Sequence, residues 1–312
     1  MFIAIIGTPS AGKQTVLDYL VNQHGFLQVG LQAPNDQMED AKISSNQLDG
    51  LIGLSLPSTS AFNPHTTGAA IPSPPLFANS SHLLDYITRN WLQHHVTTDL
   101  RTFDDIEPFV KRPFFLLISV DGPLRTRFER ERKRLSAELM SLDSFIDRHD
   151  LLLNGVADTS LPNSSLARHP QTDFRRVVNL ASLRIYNNFS TISSFHAYLH
   201  ETNLLNEERL RPGWDTYFMT LASLASLRSN CMKRRVGALL VRSKRILSTG
   251  YNGTPRGTRN CNQGGCRRCN GSARGGEALD ECLCLHAEEN ALLEAGRERI
   301  GDDALLYCNT YI

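Results

Sequence analysis

The stretch His286-Ala287-Glu288-Glu289-Asn290-Ala291-Leu292 decides how the last third of this sequence is interpreted. It places a histidine and, two residues later, a glutamate at the start of a helical pattern. Imidazole is a zinc ligand, and a positioned carboxylate can transfer protons. The stretch therefore predicts half of a metal-assisted hydrolytic site. Alternatively, His286 only caps the helix and Glu288 only complements its N-terminal dipole.

Cysteines precede this stretch in a cluster. The sequence has seven, of which six follow residue 260. An odd number without an export signal predicts a reduced, intracellular protein, so metal ligation explains the cluster better than disulfides. Cys261, Cys266 and Cys269 have the spacing C-x4-C-x2-C, and its second half is a standard zinc spacing. With Cys284, or alternatively Cys282, they predict a second, structural zinc ion. Free thiols are the alternative, but they invite oxidation.

The overall composition limits the function. The chain has 312 residues, a net charge of +1 and 41% hydrophobic residues, which fits a globular protein of two domains. No apolar run approaches the roughly 20 residues that span a bilayer. Because the net charge is close to zero, we expect no nucleic-acid or membrane partner. We expect the protein in the cytoplasm, with an additional nuclear location left open.

The N-terminus follows the order strand, glycine loop, helix. An apolar run at 2–6 precedes Gly-Thr-Pro-Ser-Ala-Gly-Lys-Gln-Thr at 7–15, and this order is the context of a phosphate-binding loop. The candidate phosphate-binding residues are Gly7, Gly12, Lys13 and Thr15. The stretch resembles the loop of dephospho-CoA and nucleoside-monophosphate kinases, although Gln14 stands where a magnesium-binding hydroxyl is required. A purely structural turn is the alternative.

Periodicity predicts the remaining elements. We expect a buried strand at 114–120, helices at 82–95, 124–140 and 176–189, and mobile insertions near 33–81 and 154–173. A boundary falls at 211–213. After it we expect a helix at 214–228, a hairpin of 236–241 with 246–251, a helix from 286 to about 295, and a strand at 304–309. The fold class is α/β, with a P-loop NTPase-like parallel domain at 1–205 and a second domain at 212–312.

The second domain resembles the zinc-dependent cytidine and deoxycytidylate deaminase family, and within it the fungal deoxycytidylate (dCMP) deaminases. Its motifs follow the family order and include His-x-Glu, part of the described signature of zinc deaminases. The matching motifs are Trp-Asp-Thr-Tyr-Phe-Met at 214–219, Arg-Ser-Asn-Cys at 228–231, Arg-Arg-Val-Gly-Ala at 234–238, Gly-Tyr-Asn-Gly-Thr-Pro-Arg-Gly at 250–257 and Cys-Leu-His-Ala-Glu-Glu-Asn-Ala at 284–291.

This resemblance implies a cytidine-deaminase-like α/β/α domain that hydrolyses dCMP to dUMP and ammonia, supplying thymidylate synthesis. His286 would bind the catalytic zinc and Glu288 would transfer protons. Asn252 would contact the deoxyribose, unless it only tolerates a turn conformation, and Arg256 would contact the 5′-phosphate. The relatives imply a homo-oligomer, a hexamer, with dCTP and dTTP as allosteric effectors.

The family's Pro-Cys-x-x-Cys motif, which supplies two zinc ligands, would follow Thr310, and the sequence ends at Ile312. Cys308 is a poor substitute because it lies on the preceding strand. We therefore expect a truncated, incomplete deaminase domain that is inactive alone; robust dUMP formation by purified 1–312 would contradict this. Two alternatives stay open: a small-molecule kinase that uses the N-terminal half, and a catalytically silent regulatory or assembly partner of a full-length deaminase.

Overall fold

A computed structural model describes residues 1–32, 74–135, 140–155 and 172–310. The chain divides into two units, Met1–Leu204 and Leu205–Ile312. Most of the two expected insertions lies outside the described residues, although residues 76 to 81 already contain a strand and the start of a helix. In the part of the chain that the structure describes, no helix has the length and apolar character needed to cross a membrane.

The first unit is built on a parallel sheet with the strand order β2-β5-β1-β6-β7. Its central strand pairs with β6 along its whole length, from Phe2↔Phe115 to Gly7↔Val120. Both strands are continuous apolar runs because a central parallel strand is covered on both faces. The strands are β1 (Phe2–Gly7), β2 (Leu27–Gln28), β5 (His95–Thr97), β6 (Phe115–Asp121) and β7 (Leu183–Tyr186), with a separate pair of β3 (Gly30–Leu31) and β4 (Leu76–Phe77).

Seven helices accompany these strands among the described residues of the first unit. Most of them begin at a side chain that accepts a hydrogen bond from the first turn, as Asn79 and Thr102 do, and this satisfies an otherwise unpaired backbone N–H group. The helices are α1 (Lys13–His24), α2 (Ser80–Arg89), α3 (Phe103–Val110), α4 (Leu124–Leu135), α5 (Leu142–Asn154), α6 (Asp173–Leu180) and α7 (Ile192–Thr202).

Two helices are shorter than their sequence pattern predicts. The helix expected at 176–189 ends at Leu180, and β7 follows it and pairs with β6. The helix expected at 82–95 ends at Arg89, and His95 already belongs to β5. In both places a short strand is stabilised by its neighbour in the sheet, and local periodicity does not carry that information.

The second unit contains an antiparallel sheet with the order β10-β8-β9. The expected hairpin is present, and Ser243 and Lys244 at its turn both have positive φ (50° and 61°), as a two-residue hairpin loop requires. The elements are α8 (Trp214–Ser226), β8 (Gly237–Arg242), β9 (Arg245–Tyr251), α9 (Arg267–Asn270), α10 (Ala287–Ala295) and β10 (Leu305–Cys308).

Helices α8 and α10 cover opposite faces of this sheet. Leu239 and Val241 of β8 pack with Phe218 of α8, whereas Ala238 packs with Ala287 of α10. Adjacent strand residues point to opposite faces, so the unit is an α/β/α sandwich. Small residues on the α10 side allow the helix to approach the sheet closely.

The closest approach of α10 is at Gly250 of β9. A Cβ atom there would overlap the carbonyl oxygen of Ala287 and lie 2.5 Å from the amide nitrogen of Ala291. Beside it, Ser248 Oγ donates to the carbonyl oxygen of Ala291 at 2.6 Å. Glycine is therefore required at this position by the spacing between helix and strand.

We predict that Gly250→Ala lowers the free energy of unfolding of the second unit by about 3 kcal/mol, the upper end of typical overpacking costs. Gly275→Ala is the matched control, because nothing lies within 4 Å of a Cβ atom there. The measurement is denaturant unfolding followed by Trp214 fluorescence in a Trp91→Phe background. Equal stability of the two variants would contradict the close packing of α10.

Candidate active site

The carboxylate of Glu288 is buried at the start of α10, where the side chain is 9% exposed. Its Oε1 accepts a hydrogen bond from Cys308 Sγ at 2.8 Å. Its Oε2 is buried and has no partner among the described residues. Leaving a buried acceptor unpaired costs about 1–3 kcal/mol, so this oxygen is suited to a donor brought by a water molecule or a ligand.

His286 immediately precedes the helix and is its N-cap residue. Its backbone nitrogen donates to Oε2 of Glu289 at 2.8 Å, the reciprocal half of a capping box. The acidic residue that completes the cap is thus Glu289, and the carboxylate of Glu288 takes no part in it. The His286 side chain is exposed.

Backbone pairing brings the turn that contains Asn252 next to the segment that leads into His286. Gly253 and Leu285 form an antiparallel bridge: Leu285 N donates to Gly253 O at 2.9 Å and Gly253 N to Leu285 O at 3.3 Å. Asn290 Nδ2 adds a bond to the carbonyl oxygen of Tyr251 at 2.7 Å. The structure therefore brings together the candidate sugar-binding residue and the candidate metal ligand.

The amide of Asn252 is already engaged within the protein. Its Oδ1 accepts from Ser229 Oγ at 2.6 Å and from Val236 N at 2.9 Å, and its Nδ2 donates to Arg234 O at 2.7 Å. One Nδ2 hydrogen is left for a ligand. Arg256 is exposed, and in the described part of the chain its guanidinium makes no hydrogen bond or ion pair.

The described residues supply one of the three protein ligands that a catalytic zinc ion takes. His286 fits this role, and the unpaired Glu288 Oε2 fits a neighbouring water. Among the described residues, no group of three metal-ligating side chains within reach of one another includes His286. Burial, followed by the bond to Glu288, raises the pKa of Cys308 to about 11. Its Sγ donates to Glu288 Oε1, and among the described residues it belongs to no group of three metal-ligating side chains within reach of one another.

Six cysteines gather in the loop region of the second unit, and none of them forms a disulfide. The expected ligands Cys261, Cys266, Cys269 and Cys284 are all among them. Sequence spacing alone missed Cys231, and Cys282 had been only an alternative to Cys284. Cys231 lies thirty residues before Cys261, so only the fold brings it to the cluster.

The thiols of the cluster differ in pKa because their hydrogen bonds and burial differ. Burial acts to raise the pKa of Cys266, but bonds from the backbone of Cys269 and Leu283 outweigh burial and lower the pKa to about 6. Burial and the neighbouring thiols raise the pKa of Cys269 and that of Cys284. Six sulfur atoms at this spacing cannot all ionise without a cation between them.

In the first unit, the expected phosphate-binding loop follows β1, whose neighbours β5 and β6 lie on opposite sides. This is the topological switch point, where ligands bind in open parallel sheets. Lys13 Nζ donates to Gly7 O at 2.9 Å and to Thr8 O at 3.1 Å, across the loop. Gly12 has φ 104°, a conformation that favours glycine.

Lys13 lies in a cationic environment. Burial, followed by repulsion from Arg101, lowers the pKa of Lys13 to about 8, and Glu131 offsets part of this effect. Gln14 does not enter the loop: it is exposed, and its Nε2 donates to Asp18 Oδ1 at 2.9 Å. Thr15 is half-buried on the first turn of α1.

Comparisons with known proteins identify the family of the chain. Residues 212–311 match the model of the cytidine and deoxycytidylate deaminase zinc-binding region, so the second unit is a zinc-binding nucleotide-deaminase domain. The deoxycytidylate deaminase of Schizosaccharomyces pombe is 39% identical over 99% of this chain and 83% of its own. The deoxycytidylate deaminase of Saccharomyces cerevisiae is 45% identical over 74% of this chain and 72% of its own. The chain belongs to the deoxycytidylate deaminase family, as its motifs predicted.

A solved structure, the dCMP deaminase of the cyanophage S-TIM5 in complex with dCMP and dUMP, aligns with part of the chain. It is 35% identical, with a TM-score of 0.23, over 30% of this chain. The aligned part spans 61% of the phage chain, less than two thirds of its length.

We predict that Asn252→Ala destabilises the second unit by about 1–3 kcal/mol, because it leaves the buried N–H group of Val236 without its acceptor. Asn252→Asp keeps the acceptor but loses the donor. Its stability should lie between that of the wild type and that of Asn252→Ala. Unfolding followed by Trp214 fluorescence checks this order, with the exposed Asn262→Ala as control. A wild-type value for Asn252→Ala would show that the network contributes nothing.

Proposed function

We propose that the protein hydrolyses the exocyclic amine of dCMP, producing dUMP and ammonia. The observation that carries the proposal is the buried Glu288 carboxylate, whose Oε2 has no partner among the described residues; the exposed His286 stands two residues before it, at the start of the same helix. Membership of the deoxycytidylate deaminase family supports the choice of reaction.

Glu288 moves the protons of this reaction. It accepts a proton from the attacking water as the water oxygen bonds to C4 of cytosine, and it passes this proton to N3. It then transfers the remaining proton of the added hydroxyl to the amino group, and the C4–N bond breaks to release ammonia. A zinc ion held in part by His286 would lower the pKa of its water from 15.7 to about 7.

Two further side chains suit the rest of the nucleotide. The spare Nδ2 hydrogen of Asn252 can bond a deoxyribose hydroxyl, and the network around Asn252 holds it in one orientation. Arg256, four residues on, presents an exposed guanidinium for the 5′-phosphate. A hexameric assembly, regulation by dCTP and dTTP, and a cytoplasmic or nuclear location stay predictions from the resemblance.

Replacing Glu288 by Gln should reduce kcat for dUMP formation by roughly 10²–10⁴, the usual value of positioned proton transfer. Zinc content should not change, since Glu288 is not a ligand. The matched control is Glu294→Gln, an exposed residue of the same helix. Wild-type turnover in Glu288→Gln would contradict the assignment. No dUMP from the zinc-loaded wild type would favour a silent regulatory partner.

We also propose that the first unit binds a phosphate group of a nucleotide at Gly7, Gly12, Lys13 and Thr15 without transferring it. The glycine loop ends at a helix N-terminus, where backbone N–H groups and the helix dipole attract anions. The half-buried Lys13 and the arginines near it add positive charge. Phosphoryl transfer is not proposed, because Gln14 replaces the magnesium-binding hydroxyl and bonds Asp18 instead.

This proposal predicts that the affinity for ATP falls as pH rises above about 8, since Lys13 has a pKa of about 8 and only its charged form attracts phosphate. Binding at pH 8 to 9 should take up protons because a bound anion raises that pKa again. Calorimetry in buffers of different ionisation enthalpy measures both effects. Lys13→Ala should abolish them, while the exposed Lys133→Ala should not. Equal ATP affinity in both variants would exclude the loop.

A further inference from the structure

The six clustered cysteines form two groups of four that share two members. Cys231 and Cys261 meet Cys269 and Cys284 in one group, and Cys266 and Cys282 meet the same pair in the other. Within each group all sulfur atoms lie within 4.8 Å of one another. A single tetrahedral ion would use four of the six sulfurs and leave the other two, one buried and one half-buried, without a metal.

The sulfur spacing fits metal ligation. Cys269 Sγ lies 3.8 Å from Cys231 Sγ, 3.8 Å from Cys282 Sγ and 3.9 Å from Cys284 Sγ. A Zn–S bond of about 2.3 Å places the sulfurs of a tetrahedral site about 3.8 Å apart. A disulfide would require about 2.05 Å.

We propose that the second unit holds a binuclear zinc–thiolate cluster in which Cys269 and Cys284 each bridge the two ions. Cys231 and Cys261 complete one tetrahedron, and Cys266 and Cys282 complete the other. Every sulfur is then used, and each ion has four ligands. This site is separate from the catalytic zinc and does not depend on the proposed reaction.

The hydrogen bonds around the cluster distinguish the bridging cysteines from the terminal ones. Met232 N donates to Cys261 Sγ and Leu283 N to Cys266 Sγ, both at 3.4 Å. The guanidinium of Arg268 lies 3.8 Å from Cys282 Sγ, and Cys231 accepts from the backbone of the two residues after Met232.

In contrast, among the described residues no backbone N–H group donates to Cys269 Sγ or Cys284 Sγ; their partners are other sulfur atoms and, for Cys269, the Arg268 side chain. A terminal thiolate keeps more negative charge than one shared by two cations, so it gains more from an N–H donor. The donors therefore lie where the proposed connectivity needs them.

The cluster also replaces a hydrophobic core. The buried residues of this loop region that pack together are cysteines, with Cys261, Cys266 and Cys269 at the centre. Metal binding supplies folding free energy where apolar burial is missing. Cys284 lies two residues before His286, and Cys231 follows Asn230, whose Oδ1 accepts from Thr254 N. The ions would thus fix both loops that flank the candidate active site.

Zinc stoichiometry tests the proposal in the full chain. With His286→Ala removing the catalytic ligand, we expect two zinc ions per chain. Adding Cys231→Ser or Cys282→Ser should each remove at least one ion, whereas Cys308→Ser, outside the cluster, should keep both. A single ion in the His286→Ala protein, or unchanged content in both cysteine variants, would overturn the proposal.

Because a cysteine variant can fail to fold, a second measurement uses the unmutated chain. Cadmium NMR of the reconstituted protein should show two thiolate-bound signals with mutual scalar coupling through the bridging sulfurs. A catalytic ion would give a separate, uncoupled signal. Two thiolate signals without coupling, or only one, would exclude the bridged cluster.

Discussion

The close seating of helix α10 on strand β9 is the constraint on which the candidate site depends. Gly250 lets the helix backbone touch the strand, and the bonds of Ser248 and Asn290 lock the register on either side. This contact buries Glu288 while leaving its Oε2 without a partner among the described residues. That oxygen is buried and has no protein donor there, a cost that proteins accept mainly at functional sites.

The sulfur cluster extends this constraint into loops that have little apolar core. On one side it is continuous with the turn that carries Asn252, through Ser229. On the other side Cys284 leads directly into the bridge at Leu285 and then His286. Both loops that flank the candidate active site therefore lead into the cysteine cluster. Metal binding by the cluster would hold these loops in one conformation. The sequence predicts one structural zinc ion, whereas the six cysteines fit the proposed binuclear cluster.

Much of this unit could be predicted because its chemistry is local: His286 and Glu288 are two residues apart, and the hairpin of β8 and β9 is set by a short turn. Other features depend on distant pairing. Residues 183–186 form a strand because they pair with β6, although the sequence pattern predicts that they belong to a helix. Likewise Cys231 joins Cys269 only through the fold, and no spacing rule reaches across 38 residues. The hydrogen bonds that orient the Asn252 side chain also could not be predicted from the sequence, because their partners lie on other segments of the chain.

The central claim is that the buried Glu288 carboxylate serves the transition state of deamination. The most direct measurement compares the affinity of the protein for dCMP with its affinity for a stable analogue of the hydrated, tetrahedral adduct. Enzymes bind such analogues at least about 10² times more tightly than substrate. We expect this preference in the wild type and its loss in Glu288→Gln, with dCMP affinity retained. An unchanged preference in Glu288→Gln would contradict the claim.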